Sequence, residues 1–432
     1  MSDPAHPPAP NSVPDPAPDP ASDPAPASPP ASPPVSVRVA YDPLTRFRRR
    51  IAQNARGWLG FLTDQPDAQL SLAVQQEFAN LYKATEQALA EPSAWTEGVG
   101  LAAAMWPAIA VRGHWMAWRQ ILARSRSAAQ QMDDLILHAQ ILDQSGEVAR
   151  FLGDAPQALR YQDEALALYR RLEDAAGIGQ VLNHLSQAHM VLGDHAAAQA
   201  CCQEAAAIFE SLGRQADLAQ AHLRWGLVCT ELTDYDEALA HHRLAQGIYV
   251  GLENARGQAM AANNQGLVLR LMDDHAGAMA AFEQAIALHT AAGDEINAAR
   301  SQMNLGMMYN LLDDPAQALA LHREVEPLFR RLGDRPWLAL VLNNQGIFLE
   351  GLGQIDAAAD AYAQAIDLHL ANGNHAYAAM TLLTVTEMQI HQGQLELARS
   401  AWAEADRLLA GLPHPPPREV ERLERFRGVV VG

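Results

Sequence analysis

Sixteen histidines and three cysteines are the first residues in this chain to consider for metal binding or proton transfer. Their spacing argues against both roles. His195 and His275 stand at the place that Tyr235 fills in between, and His242 and His322 share a register with Phe282, Tyr362 and Trp402. Histidines exchanged for aromatics at a fixed interval read as packing residues between helices. Cys201 and Cys202 are adjacent and Cys229 follows on a later helix, a pattern that fits neither a disulfide framework nor a zinc site. The carboxylates nearest His241 and His242, Asp234 and Glu237, are not spaced as a zinc pair. No phosphate loop, nucleophile elbow or HExxH motif occurs. The expectation is a protein that is not an enzyme and needs neither metal nor cofactor.

A different chemistry returns at Asn264, Asn304 and Asn344. An asparagine amide carries both donor and acceptor and can pair with one peptide unit of an extended ligand. Methionine and leucine nearby supply an adaptable apolar floor. Asparagine is a mediocre helix former, so its return at one helical position calls for a reason, and ligand contact is the reading preferred over a polar helix surface.

The elements that carry these residues recur every forty residues. Gly266 is matched by Gly146, Ser186, Gly226, Gly306, Gly346 and Thr386, and Ala278 by Ala158, Ala198, Ala238, Ala318, Ala358 and Ala398. Each copy reads as two helices, A and B, since apolar residues return at three- and four-residue spacing on both sides of a turn. That turn falls at Asp273 and its equivalents Gly153, Gly193, Thr233, Asp313, Gly353 and Gly393. Helix B stops at Gly213, Gly293, Gly333 and Gly373, as a left-handed cap requires. One helical pair cannot bury its apolar face, so successive pairs must stack.

The order of small, aromatic and alanine positions, with Leu342-Asn343-Asn344-Gln345-Gly346 and Gln302-Met303-Asn304-Leu305-Gly306, resembles the tetratricopeptide repeat (TPR) in its forty-residue form. Kinesin light chains, Pins-type adaptors and bacterial regulators carry such arrays. Gln76-Glu77-Phe78-Ala79-Asn80-Leu81, with Gly100 to Trp106 and Arg112-Gly113-His114-Trp115, resembles the start of the sensor region in STAND-class regulators. The resemblance implies an all-α, right-handed superhelix, an α-solenoid, that binds a protein or peptide segment in a concave groove. The alternative it carries is a regulatory sensor acting in trans on a separate ATPase, protease or transcription regulator. The family's groove positions fall here on Asn183, His184, Gln187, Arg224, Leu227, Asn263, Asn264, Leu267, Arg270, Arg300, Asn304, Met307, Asn310, Asn343, Asn344 and Ile347.

Composition bounds the partner. A formal charge of −19 opposes general nucleic-acid binding, which depends on neutralising phosphates. No apolar run is long enough to span a bilayer, and the N-terminus shows no secretion signal, so a cytoplasmic protein is expected. Residues 1–36, nearly all Pro, Ala, Ser and Asp, read as a disordered tail. A helical N-terminal cap over 37–97 follows, with an amphipathic stretch from Leu44 to Leu62. A degenerate unit spans 98–127, seven full units span 128–411, and a proline stop with a short helix occupies 412–432. The partner's identity and the oligomeric state are not written in the sequence.

Overall fold

The computed structural model describes residues 43–64, 67–112, 115–412 and 415–430. The tail expected over 1–36, the Gly113-His114 pair and Pro413 lie outside them. Two compact units are distinguished, Met1–Phe47 and Arg48–Gly432. Of the first, only the opening turn of a helix is described.

All regular structure among the described residues is helical. The chain opens with α1 (Pro43–Thr63), α2 (Asp67–Ala90), α3 (Trp95–Arg112) and α4 (Trp115–Gln131). Seven A/B pairs follow: α5 (Leu135–Phe151) with α6 (Ala155–Arg171), α7 (Ala175–Val191) with α8 (His195–Ser211), and α9 (Gln215–Glu231) with α10 (Tyr235–Gly251). Next come α11 (Ala255–Leu271) with α12 (His275–Ala291), and α13 (Glu295–Leu311) with α14 (Pro315–Leu332). Then α15 (Arg335–Gly351) pairs with α16 (Ile355–Ala371), α17 (His375–His391) pairs with α18 (Leu395–Ala410), and α19 (Pro417–Val430) ends the series.

Local chemistry sets these bounds. Asp154, Asp174, Asp194, Asp274 and Asp314 each accept a hydrogen bond from the backbone N–H three residues on, satisfying a donor that the first helical turn leaves open. A residue with positive φ precedes every such start, at twenty-residue intervals from Asp133 to Gly393. Gly213, Gly293, Gly333 and Gly373 take φ of 64 to 72° at the ends of B helices, as their residue type requires. Thr233 holds φ 61° with a β-branched side chain, a conformation that costs about 1–2 kcal/mol outside glycine.

Packing follows the period. Ala158, Ala198, Ala238, Ala278, Ala318, Ala358 and Ala398 are completely buried. A Cβ on Gly266 would stand 2.7 Å from the Phe282 ring, so glycine is what lets that ring lie against helix A. His242 against Gly226, His322 against Gly306 and Tyr362 against Gly346 repeat the arrangement. Both histidines are fully buried, and burial holds each imidazole down at about 4, neutral at physiological pH. They are packing residues, as their register implied.

Successive A helices from α5 to α15 touch each other, and no successive pair of B helices packs as closely. The A helices therefore form the inner face of the stack. At its end α19 packs on α17 and α18, with Trp402 Nε1 donating to the Leu423 carbonyl at 2.9 Å.

Candidate functional site

Among the described residues, two depressions on the A-helix face hold most of the expected groove positions. The central one, about 500 Å³, is framed by α11, α13 and α15 and gathers Asn263, Asn264, Leu267, Arg300, Asn304, Met307 and Asn344. The other, about 350 Å³, brings together Gln187, Arg224 and Leu227 with Arg150, Met190 and Glu231. Of the remaining expected groove residues, Arg270, Asn310 and Ile347 are half-buried on the same helices but line neither depression. Asn183 and Asn343 are only 6% exposed.

One of them, Asn343, belongs to a feature the sequence reading did not anticipate, a polar clasp from one A helix to the next, whereas Asn183 Oδ1 is buried without a partner. Asn263 Oδ1 accepts from Ser301 Oγ at 3.1 Å and from Asn304 Nδ2 at 3.0 Å. Asn343 Oδ1 accepts from Thr381 Oγ1 at 3.0 Å. At the same register near the start of the array, Asp143 Oδ1 meets His184 Nδ1 at 2.8 Å. Expecting the asparagines at 264, 304 and 344 to act alike was too simple. The Asn304 amide nitrogen is spent on the clasp, and Asn344 Nδ2 pairs with His322 Nε2 at 3.2 Å. Asn264 makes no hydrogen bond within the described residues, and Asn304 keeps Oδ1 unpaired, so these two retain amide capacity toward the cleft.

Across this cleft, Arg300 stacks 4.3 Å over the Trp337 ring, and one guanidinium nitrogen donates to Asn297 Oδ1 at 3.1 Å. Its Nε is buried without a partner, and burial lowers its pKa despite Asp334 and Asp294 nearby. Met260, 43% exposed, supplies apolar floor. Trp337, Asn297, Ser301 and His289 were not foreseen as cleft residues. The available signal was the first turn of helix A, where glycine at 177 and 257 gives way to Asn297 and Trp337.

Charge dominates the smaller depression. Arg150 donates twice to Glu147, with both distances 3.0 Å, and Gln162 Nε2 approaches the same carboxylate at 3.4 Å. Burial alone would raise the Glu147 carboxyl, but His184, Arg150 and Arg224 outweigh it and hold it at about 2. Burial would likewise lower His184, yet Asp143 and Glu147 overcome that and raise it. Arg224 Nε is buried and unpaired at the edge of this network.

Among the described residues, one group outside the groove has metal-ligand character. Cys229 Sγ, a Glu237 carboxylate oxygen and a His241 ring nitrogen lie within 4.8 Å of one another where α9 turns into α10. Sequence spacing hid them because the thiol and the imidazole sit on different helices.

Residues 137–211, 217–291 and 297–371, more than half of the chain, match the family described as Tetratricopeptide repeat. The chain belongs to the tetratricopeptide repeat family. Among solved structures, this TPR chain is similar to a Rap protein complexed with Competence and Sporulation Factor, at 14% identity and TM-score 0.56, covering 87% of this chain and 99% of that one. The apo form of the quorum sensor NprR from B. thuringiensis is similar at 13% identity and TM-score 0.51, over 84% and 99% of the two chains. Aspartyl phosphate phosphatase F from Bacillus subtilis gives the same identity and TM-score, over 84% and 94%. At these identities the likeness is one of fold. A comparison with curated protein sequences gives no match. As a TPR array the chain is a non-catalytic protein- or peptide-binding module. No helix among the described residues is long and apolar enough to cross a membrane.

Proposed function

We propose that the cleft between α11, α13 and α15 holds an extended segment of a partner protein or peptide. The observation that carries this reading is unspent hydrogen-bonding capacity beside apolar surface. Asn264 and the Asn304 oxygen are unpaired, Arg300 keeps a buried Nε without a partner, and Met260 and Trp337 flank them. Buried polar groups are rarely left unsatisfied, and a peptide backbone offers donors and acceptors at the right density. The forty-residue period supports grouping the chain with the long-unit arrays of kinesin light chain and Pins type. A regulator acting in trans would use the same cleft, with occupancy changing the activity of a separate protein.

The test selects peptides from a random displayed library on the full chain and measures their affinity for variants. Asn264→Ala removes about 0.5–1.5 kcal/mol, a two- to twelve-fold loss. Adding Trp337→Ala deepens the loss to well beyond tenfold, while circular dichroism verifies the fold. Peptides that bind both variants as well as wild type place the site elsewhere.

A further inference from the structure

We propose that Cys229, Glu237 and His241 form a binding site for one zinc-class divalent ion at the α9–α10 turn. The three donors come from a single helical hairpin. Cys229 lies in the last turn of α9, while Glu237 and His241 occupy successive turns on one face of α10. Zinc bound tetrahedrally, with sulfur at about 2.3 Å and nitrogen or oxygen at about 2.0–2.2 Å, needs donors roughly 3.5 Å apart. His241 Nε2 and the nearer Glu237 oxygen are 3.7 Å apart, and all three donor atoms fall within 4.8 Å. Bringing the three to ligand spacing takes a rotation of the exposed Glu237 side chain and a movement of at most about 1 Å between Cys229 and His241.

The imidazole is already aimed. His241 is 8% exposed, and its Nε2 is buried with no hydrogen-bond partner. Its ring stacks on Trp225 at 4.2 Å and lies against His222 at 5.2 Å, and those two rings also meet at 6.3 Å. His222 Nδ1 and His241 Nδ1 are 3.1 Å apart. One must donate and the other accept, which requires at least one neutral ring. With the proton on His241 Nδ1 and His222 accepting it, Nε2 presents a lone pair toward Cys229 and Glu237. A ligating histidine ordinarily has its other nitrogen fixed in this way by a neighbour.

Donor identity selects the ion. One thiol, one imidazole and one carboxylate suit a borderline-soft cation such as zinc, whereas magnesium and calcium require several oxygens. Glu237 and Asp234 stand near the Cys229 thiol, and their carboxylates draw in a cation. Glutamate at the 237 register occurs in none of the other six units, where Gln157, Ala197, Gly277, Gln317, Ala357 and Leu397 stand. The site is therefore peculiar to this hairpin and not a by-product of the repeat. With Glu237 at the surface, the fourth position faces solvent and takes a water.

Cobalt(II) titrated into the reduced, chelator-treated full chain provides the readout. The expected result is one ion per chain with a near-ultraviolet sulfur-to-cobalt band and intense tetrahedral visible bands, all displaced by one equivalent of zinc. Cys229→Ser should abolish the sulfur band, while Cys201→Ser should leave it unchanged. Glu237→Gln should weaken cobalt binding at least tenfold, and His222→Phe about 10- to 100-fold. Absence of the sulfur band in wild type overturns the proposal. So does a band that survives Cys229→Ser, or affinity indifferent to Glu237→Gln in a chain of unchanged helicity.

Discussion

The beginning and the middle of the array use the same backbone register for opposite kinds of chemistry. Around α5 to α9 the clasp between A helices is Asp143 with His184, surrounded by Glu147, Arg150 and Arg224. Around α11 to α15 it is Asn263 with Ser301 and Asn304, and the groups beside it are mainly amides, methionines and one tryptophan, with Arg300 the single cation among the cleft residues. Charges buried close together must satisfy each other before they can serve a ligand. Neutral amides can divide their capacity, one end holding the neighbouring helix and the other facing the cleft. The difference is one of chemistry: the earlier region sets buried charges against one another, and the central one leaves amide capacity beside apolar surface.

The most damaging way to probe this contrast is Glu147→Gln. It leaves Arg150, Arg224 and His184 without their shared counter-charge and should cost roughly 3–5 kcal/mol, read as lost hydrogen-exchange protection in α5 to α7. A cost below 1 kcal/mol would mean that the charges are not mutually dependent. Acid should erase the same difference. The folded pKa of Glu147, about 2, lies below its ordinary 4.5, so its stabilisation is complete above pH 4.5 and fades as pH falls toward 2. That shift corresponds to about 3 kcal/mol. The gap in melting temperature between wild type and Glu147→Gln should therefore close across this window. If the gap stays constant, the carboxylate's charge is not what stabilises the region.

In the middle of the array, Asn263→Ala strips an acceptor from two donors and should cost roughly 1–3 kcal/mol, measured by urea denaturation. Exchanging the clasps is milder. The double variant Asp143→Asn/His184→Asn gives the early region an amide pair like the central one. It should stay within about 1 kcal/mol of wild type, since replacing both partners of a buried pair is often near neutral. A much larger loss would show that the two clasps are not interchangeable. Smallest of all on stability, Asn264→Ala should shift it by less than about 0.5 kcal/mol. A larger shift would reveal a structural role for the residue assigned to the ligand.

Much of this fold is visible in the sequence because its determinants are local and repeated. Ala278 and its equivalents, Gly266 opposite Phe282, and the glycines ending the B helices state the helical pairs outright. The site was less legible, since a register gives the face of a helix but not a hydrogen-bond partner. Nothing in the string Asn263-Asn264 says that the first amide clasps the next repeat while the second is unspent. Asn183 and Asn343 illustrate the same limit, sharing a register with Asn263 yet lying buried. Trp337 escaped because its importance depends on Arg300, a helix pair away, folding over its ring. Cys229 and His241 escaped because convergence across a turn depends on how two helices are rotated, which no spacing rule records.

The left-handed residues at strict twenty-residue intervals have a consequence for how such a gene can change. Two of these intervals return the chain to the same phase of the same helix. Unequal recombination between like positions would add or remove a whole helical pair, lengthening or shortening the inner face while every junction still fits. A single inserted codon inside a helix would instead rotate all that follows by about 100° and turn a buried alanine outward. The turns, which absorb strain even at Thr233, thus set the steps by which the length of the inner face can evolve.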